Sequence, residues 1–257
     1  MKILAIGDIV GESGVRKLKE ILPKLKKDKN IDFVITNGEN SAGGMGITEK
    51  NFKDILEAGT DVVTMGNHTW GKKDIFKFID NPKILRPANY PKGVVGKGLG
   101  IFECKDKKIA VMNFIGRVDI NILTENPFVM AKEMVEELQE KVDIIIIDFH
   151  AEATAEKIAM ARFLDGKISI LFGTHTHVQT GDEQILSKGT AYITDIGMTG
   201  PKNSVIGMDI QASIKRFETA LPEKYKLAEG ECQFNAVMFE INDITNKPIS
   251  IERINIK

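Results

Sequence analysis

The sequence predicts an α/β fold built on a mixed β-sheet. Short apolar runs rich in β-branched residues alternate with amphipathic segments through residues 1–80, which gives a β-α-β-α-β pattern. The alternation resumes after residue 126, where runs at 142–148 and 168–172 are apolar enough for fully buried strands. A hairpin pattern between these two regions supplies antiparallel neighbours, so the predicted sheet is mixed.

The N-terminal region predicts three strand and helix pairs. The strands are expected at residues 2–6, 32–36 and 61–65, and the helices at 12–29, 48–58 and 72–79. Pro23 lies inside the first helical segment and should break or kink it, because proline lacks the amide proton that an interior turn uses. Thr48 is a suitable N-cap for the second helix.

The remaining elements continue this pattern to the C-terminus. A hairpin is expected from strands at 99–104 and 108–114 around Asp106-Lys107. Beyond it we expect helices at 127–141 and 154–164, strands at 142–148, 168–172 and 191–194, and a closing hairpin of 235–241 with 249–255. Residues 197–231 give no clear pattern. No repeat or linker divides the chain, so we expect a single domain over residues 1–257.

Composition favours a globular enzyme and argues against a membrane or polynucleotide partner. Hydrophobic residues make up 42% and charged residues 28%, and the net charge of -1 provides no broad basic surface for a long nucleic acid. No run is long enough to span a bilayer, and no signal peptide pattern opens the chain. Cys104 and Cys232 are too few for a disulfide framework and predict two buried thiols. We therefore expect a cytoplasmic protein.

Polar residues follow five apolar strands at the point where each strand ends. Ligands of open α/β sheets gather outside the carboxyl ends of the strands, so these segments can converge. The four histidines of the chain all lie within them. Imidazole, carboxylate and amide oxygen without thiolate suit iron, manganese or zinc. The sequence thus predicts a metal site from the segments Gly7-Asp8, Asn37-Gly38-Glu39-Asn40, Gly66-Asn67-His68, Asp148-Phe149-His150 and Gly173-Thr174-His175-Thr176-His177.

Single members of this set have simpler interpretations. Asp8 alone could form a turn or cap a helix, and Asn67 beside a glycine is a turn signal. The His175-x-His177 pair is a stronger signal, because alternate residues of an extended segment point the same way. A dinucleotide-binding turn is excluded, since the glycines at 7, 11 and 14 lack the Rossmann spacing. The glycines of residues 43–46 favour a flexible loop over a phosphate cradle.

In this order the segments resemble the motifs of the calcineurin-like metallophosphoesterases, and more narrowly the YmdB-like phosphodiesterases. The resemblance covers nearly the whole chain. It implies a four-layer αββα sandwich of two mixed β-sheets, a di-iron or related binuclear centre, and activity on phosphodiesters including cyclic nucleotides. The narrower likeness rests on Gly7-Asp8-Ile9-Val10-Gly11, Asn37-Gly38-Glu39-Asn40, Asp148-Phe149-His150-Ala151-Glu152-Ala153-Thr154, Gly173-Thr174-His175-Thr176-His177 and Asp195-Ile196-Gly197-Met198-Thr199-Gly200-Pro201.

The resemblance also implies a ligand set for two divalent transition-metal ions, with iron or manganese favoured over zinc. Val10 stands where the broad family has a histidine ligand, and we expect Asn40 to replace it. Glu39 takes the place of the bridging aspartate, because a longer carboxylate can still span both ions. The expected ligands are Asp8, Glu39, Asn40 and His177 for one ion, and Glu39, Asn67, His150 and His175 for the other.

The expected chemistry is hydrolysis of a small phosphodiester by water that the two ions activate. His68 adjoins a ligand and should stabilise the transition state or protonate the leaving alkoxide, with orientation of a ligand as the alternative. Asp148 can equally orient a ligand or cap a helix, and Glu152, Thr154 and Thr174 are expected to cap helices, so all four are left out of the catalytic set.

We expect 2′,3′- or 3′,5′-cyclic mononucleotides as substrates. Two other functions stay open: a regulatory or RNA-associated protein with a structural metal centre, and a phosphomonoesterase with the same centre. The oligomeric state is open as well, a homo-oligomer included.

Overall fold

An eight-stranded sheet combines the N-terminal strands with the C-terminal hairpin in the computed structural model, which describes all 257 residues. In spatial order the strands are β2 (Asp8–Ile9), β12 (Met198–Pro201), β13 (Cys232–Ile241), β1 (Lys2–Ile6), β3 (Phe33–Asn37), β4 (Val62–Thr64) and β5 (Ile84–Leu85), with β14 (Pro248–Ile256) paired to β13. β1, β3, β4 and β5 are parallel, whereas β13 is antiparallel to β1 and to β14, so the sheet is mixed as predicted.

A second, six-stranded sheet is also mixed. Its order is β10 (Gln184–Ile185), β11 (Ala191–Ile193), β9 (Ile170–Thr174), β8 (Ile144–His150), β7 (Lys107–Ile115) and β6 (Leu99–Cys104). The predicted β6–β7 hairpin is present, but its turn lies one residue earlier than expected. Cys104 pairs with Lys107, and both Lys105 and Asp106 have positive φ, as a two-residue turn of type I′ requires.

Helices cover the outer face of each sheet and complete the four-layer αββα sandwich. Helices α1 (Gly11–Lys29) and α2 (Glu49–Glu57) bury Leu18 and Ile55 in a core of 22 residues against the first sheet. Helices α3 (Pro127–Leu138) and α4 (Thr154–Phe163) share a core of 17 residues with the second sheet. A third core of 19 residues, including Phe172, lies between the sheets. Truncating such a side chain to alanine typically costs about 3–5 kcal/mol of stability.

Several predicted elements differ in detail from the structure. Helix α1 continues through Pro23, because its buried face, with Leu18 and Leu22, packs on the sheet and outweighs the lost backbone hydrogen bond. Thr48 caps α2 as predicted and accepts from the Asn51 amide at 3.2 Å. Residues 72–79 form only a 3-10 helix, Lys73–Lys77, and the two cysteines are half-buried rather than buried.

The stretch 197–231, which gave no sequence pattern, contains β12 and a short helix, α5 (Ile210–Thr219). No side chain of α5 is fully buried, so the periodic burial that marks the other helices is missing here. The closing hairpin of β13 and β14 is present as predicted. None of the helices combines the length and the apolar character that a membrane span requires.

Candidate metal centre

The polar segments predicted to converge meet at one end of the sandwich, where strands of both sheets end. Three segments follow β1, β3 and β4 of the first sheet, and two come from the ends of β8 and β9 of the second. Because these strands run parallel within each sheet, their carboxyl ends share an edge. The residues brought together are Asp8, Glu39, Asn40, Asn67, His68, His150, His175 and His177.

Glu39, His150 and His175 form the middle of this cluster, with ligand atoms all within 4.8 Å of one another. Nε2 of His150 lies 3.1 Å from Oε1 of Glu39 and 3.0 Å from Nδ1 of His175. Oδ1 of Asn67 lies 2.7 Å from the same nitrogen. A carboxylate, two imidazoles and an amide oxygen therefore point at one position, which is the donor set that a divalent transition metal prefers.

A second group, Asp8, Asn40 and His177, adjoins the first through Glu39. Nδ2 of Asn40 lies 3.2 Å from Oε1 of Glu39 and 3.1 Å from Nε2 of His177, which is 3.7 Å from Oδ1 of Asp8. That Asp8 oxygen is buried and makes no hydrogen bond. Leaving such a group unsatisfied costs roughly 1–3 kcal/mol or more, and a cation would remove the cost. Oδ1 of Asp8 and Nε2 of His177 thus fit a metal ion beside Glu39, with the Asn40 amide next to them.

His150 is oriented by a chain of hydrogen bonds that ends at Asp148. The hydroxyl of Thr174 donates to Oδ1 of Asp148 at 2.6 Å and lies 2.9 Å from Nδ1 of His150. Since the hydroxyl proton goes to the carboxylate, Thr174 accepts from Nδ1–H of His150. Nε2 then faces the cluster. Asp148 and Thr174 therefore orient His150, as sequence reasoning allowed for Asp148 and did not expect for Thr174.

The other two clustered histidines are held in the same way. Nε2 of His175 lies 3.1 Å from Oε2 of Glu152, and Nδ1 of His177 donates to the carbonyl of Ile206 at 2.9 Å. Each ring thus uses one nitrogen in a hydrogen bond and turns the other toward the cluster. Glu152 was expected to cap a helix, but the N-cap of α4 is Ala153, and its side-chain contact is with His175. Thr154 is the first residue of that helix.

The loop that carries His175 and His177 is not the extended segment that the sequence suggested. Both residues have positive φ, 99° and 65°, a region that non-glycine residues rarely occupy. The left-handed turns send the two rings to different groups, His175 toward His150 and His177 toward Asp8. The two rings still reach neighbouring positions of the cluster, as the sequence suggested. A strained backbone places them there, and not the alternation of side chains along a strand.

Gly66 allows the first and second sheets to approach at the cluster. A Cβ atom at this position would lie 2.3 Å from Oε2 of Glu39 and 2.4 Å from Nε2 of His150. The space beside these ligand atoms is therefore available only because residue 66 has no side chain. The next residues hold the centre from the same loop, since the amide of His68 donates to Oε2 of Glu39 at 3.1 Å.

The pKa values of the ionisable groups in the site are shifted in opposite directions by burial and by neighbouring charges. Burial raises the pKa of Asp8, and although burial would also raise that of Glu39, the neighbouring His150 holds the Glu39 pKa low. Burial alone would lower the pKa of His150, but the Glu39 carboxylate raises it to about 9. Burial, and then the charge on His150, lowers the pKa of His175 to about 3. Opposed shifts of adjacent buried groups are typical of functional sites.

His68 lies at the edge of the cluster rather than inside it. Its Nε2 atom is 3.2 Å from Nδ2 of Asn67, and burial lowers its pKa. The ring is only partly buried, so a group bound at the cluster can reach it. This position, beside the ligand atoms but outside the central triad, suits a group that exchanges a proton with a substrate.

The αββα sandwich, with clustered nitrogen and oxygen donor atoms at the ends of strands from both sheets, defines a protein of the metallophosphoesterase fold. Residues 4–254 match the model of the YmdB-like protein family, and the chain belongs to that family. A 2′,3′-cyclic-nucleotide 2′-phosphodiesterase of Bacillus subtilis (strain 168) is 49% identical over 255 residues, which covers 99% of this chain and 96% of that protein.

Two solved structures are similar over the full length. The crystal structure of a novel phosphatase from Mycoplasma pneumoniae superposes with a TM-score of 0.95 at 38% identity, covering 100% of this chain and 93% of the other. That of a hypothetical protein from Thermus thermophilus gives a TM-score of 0.94 at 37% identity, covering 99% and 98%. Both the fold and the family expected from the sequence are therefore confirmed.

Proposed function

We propose that this protein is a binuclear metal-dependent phosphodiesterase that hydrolyses cyclic mononucleotides, 2′,3′-cyclic nucleotides first among them. The observation that carries the proposal is the convergence of the Glu39, His150 and His175 ligand atoms within 4.8 Å, beside an Asp8 oxygen that has no hydrogen-bond partner. We assign Asp8, Glu39, Asn40 and His177 to one ion, and Glu39, Asn67, His150 and His175 to the other. Iron or manganese is the metal we expect at both positions.

The ions would supply Lewis acidity, lowering the pKa of water and neutralising phosphoryl oxygens. The protein supplies the geometry. Thr174, Glu152 and the Ile206 carbonyl hold one nitrogen of each histidine, so that the other nitrogen is directed at the centre and would give up any proton when a metal ion binds. Glu39 lies between both groups of ligands and can bridge them.

We assign His68 the role of stabilising the transition state or protonating the leaving alkoxide. The ribose hydroxyl of a cyclic nucleotide is a poor leaving group, so a proton donor at the departing oxygen lowers the barrier. His68 is next to Asn67 in sequence and 3.2 Å from its amide, which places it one side chain away from the ligand atoms. No protein nucleophile is required in this reaction.

The substrate assignment rests on the relative of known activity and on charge. The Bacillus subtilis 2′,3′-cyclic-nucleotide 2′-phosphodiesterase shares 49% identity along 99% of this chain. The net charge of -1 offers no basic surface for a long polynucleotide, which favours a small diester with a single negative charge. If the protein cleaves the bond to the 2′ oxygen, then the product is a nucleoside 3′-phosphate.

A phosphomonoesterase with the same centre is the second candidate, favoured by the similarity to the Mycoplasma pneumoniae phosphatase structure. The test is a substrate panel at equal concentration with Mn²⁺ or Fe²⁺ restored: 2′,3′-cyclic AMP, 3′,5′-cyclic AMP, bis-p-nitrophenyl phosphate and p-nitrophenyl phosphate. We expect diesters, with 2′,3′-cyclic AMP foremost, to be hydrolysed much faster than the monoester. His150→Ala prepared identically controls for contaminating esterases.

Chromatography of the nucleotide product distinguishes the two bonds. A 3′-phosphate as the main product supports cleavage at the 2′ oxygen. Faster hydrolysis of p-nitrophenyl phosphate than of every diester would replace the proposal with the phosphomonoesterase. Absence of turnover on any ester, with metal bound at both positions, would favour a structural metal centre instead.

A further inference from the structure

A fully buried ion pair, Lys157 with Asp195, lies directly behind the loop that carries two of the proposed ligands. Nζ of Lys157 is 2.8 Å from Oδ2 of Asp195, and neither side chain is exposed to solvent. Gly173 makes room for it, because a Cβ there would lie 2.8 Å from Cδ of Lys157. Taking two charges out of water is expensive, and apolar residues of similar size often stabilise a fold as well or better. The contacts of the pair therefore call for a role beyond stability.

Asp195 connects the segments that carry three proposed ligands. Its Oδ2 atom accepts from the amide of Thr176 at 3.1 Å and from the Thr176 hydroxyl at 2.8 Å. Its Oδ1 atom accepts from the amide of Gly197 at 2.9 Å, and the Gly197 carbonyl in turn accepts from the amide of Asp8 at 3.1 Å. Thr176 lies between His175 and His177, so one carboxylate is linked to all three.

The two histidines on either side of Thr176 adopt backbone conformations that need external support. Both have positive φ, which is rare for residues other than glycine and persists only where the surroundings fix it. Asp195 accepts hydrogen bonds from both the backbone amide and the side-chain hydroxyl of Thr176. A charged acceptor makes stronger hydrogen bonds than a neutral one, and the Lys157 ammonium lies 2.8 Å from this buried carboxylate.

We infer that Lys157 and Asp195 form a positioning pair that holds His175, His177 and Asp8 in the geometry that binds metal. The inference rests on the proposed metal centre, in which these three residues are ligands. Neither residue is a proposed metal ligand, and the positioning role accounts for the burial of Lys157, a lysine of α4 that points into the protein rather than into solvent.

The test measures Mn²⁺ affinity of the metal-stripped protein by calorimetry, together with the Tm of the metal-free protein. Lys157→Met removes the cation while keeping the chain length, and Thr176→Val removes one hydrogen bond while leaving the ion pair intact. We expect weaker Mn²⁺ binding by about 10–100-fold for the first and a smaller loss for the second, as for other residues that orient ligands. Lys19→Met is the matched control, because it breaks an exposed Lys–Asp pair with Asp54, 2.6 Å long, on the helical face of the sandwich.

The double variant Lys157→Met/Asp195→Asn separates positioning from stability. Removing both charges should restore much of the Tm lost in Lys157→Met, because no unpaired charge remains buried. Mn²⁺ affinity should stay low, since a neutral amide cannot hold both Thr176 and Gly197 as the carboxylate does.

Recovery of both Tm and Mn²⁺ affinity in the double variant would overturn the inference, as would wild-type affinity in Thr176→Val and Lys157→Met. Thr176→Val gives the same comparison should Lys157→Met fail to fold. Wild-type protein that binds no Mn²⁺ at all would instead overturn the proposed metal centre, and the inference with it.

Discussion

Nε2 of His175 lies 3.1 Å from Oε2 of Glu152, so a half-exposed carboxylate holds the ring of a proposed metal ligand. The other ring nitrogen, Nδ1, faces His150 at 3.0 Å inside the cluster. A carboxylate behind an imidazole fixes the tautomer, turns the ring and makes the ligand nitrogen more basic. We therefore expect Glu152 to orient His175 for metal binding, although it contacts no other proposed ligand.

Glu152→Ala is expected to lower Mn²⁺ affinity by about 10–100-fold, the usual effect of losing such a partner. The fold should be unaffected, because the Glu152 side chain is 49% exposed. Calorimetric titration of the metal-stripped variant measures the loss, and Glu136→Gln, which changes an exposed carboxylate on α3, is the control. Affinity equal to wild type would show that His175 is oriented without Glu152.

His150→Ala should reduce the metal content of the protein, which we expect to be close to two ions per chain in wild type. His150 is the proposed nitrogen ligand that both other members of the central triad face, within 3.1 Å. Elemental analysis after gentle purification measures the ratio of metal to protein. Unchanged metal content and activity in both His150→Ala and His175→Ala would refute the ligand assignment.

The strand ends that carry the site could be predicted from the sequence because apolar runs and the polar residues after them are local patterns. All eight candidate residues come together, since parallel strands bring their carboxyl ends to one edge. The functions of Asp148, Thr174 and Glu152 could not be predicted in the same way. Short polar residues near strand and helix ends suit capping equally well, and nothing local shows which ring each will meet.

Pairing of distant strands was also invisible at the sequence level. β2 and β12 pair Asp8 with Met198, which are far apart in the sequence, and these short strands of two and four residues carry no periodic pattern. The Gly197 carbonyl that accepts from the Asp8 amide belongs to this same contact. Long-range register of this kind is set by the fold as a whole, so residues 197–231 could be placed only from the structure.

His68→Ala separates proton transfer from metal binding. We expect metal content close to wild type and turnover lower by a factor on the order of 10²–10⁴, the usual contribution of one acid–base group. The ring of His68 contacts Asn67 but lies outside the Glu39, His150 and His175 triad, so its loss leaves those ligands in place. Steady-state rates and elemental analysis on the same preparation are required. Metal lost in proportion to activity would make His68 a ligand.

Asn40→Ala tests the residue that we expect to replace the histidine missing at Val10. Because Nδ2 of Asn40 is 3.1 Å from Nε2 of His177, its loss should empty the position beside Asp8 and His177 before the other. Anomalous scattering from crystals of the variant gives the occupancy of each ion separately. Asn40→Asp, which keeps an oxygen at this position, should retain the ion. Full occupancy of both positions in Asn40→Ala would rule the replacement out.

Gly66→Ala tests whether the space beside the ligand atoms is essential. The added methyl group would lie 2.3 Å from Oε2 of Glu39 and 2.4 Å from Nε2 of His150, both of which must shift. The φ of Gly66 is not positive, so alanine can adopt the backbone, and the expected effect is occlusion of the centre rather than backbone strain. A displacement of ligand groups by 1 Å can cost on the order of 10²-fold in rate, and we expect at least this loss together with weaker Mn²⁺ binding.

Gly181→Ala is the matched control for this variant, because a methyl group there approaches only the Arg253 guanidinium, no nearer than 3.8 Å. Rates, Mn²⁺ affinity and Tm should be measured for both variants. Wild-type activity in Gly66→Ala would mean that Glu39 and His150 can move apart without cost, which is incompatible with ligands held as tightly as the hydrogen bonds of Thr174 and His68 indicate.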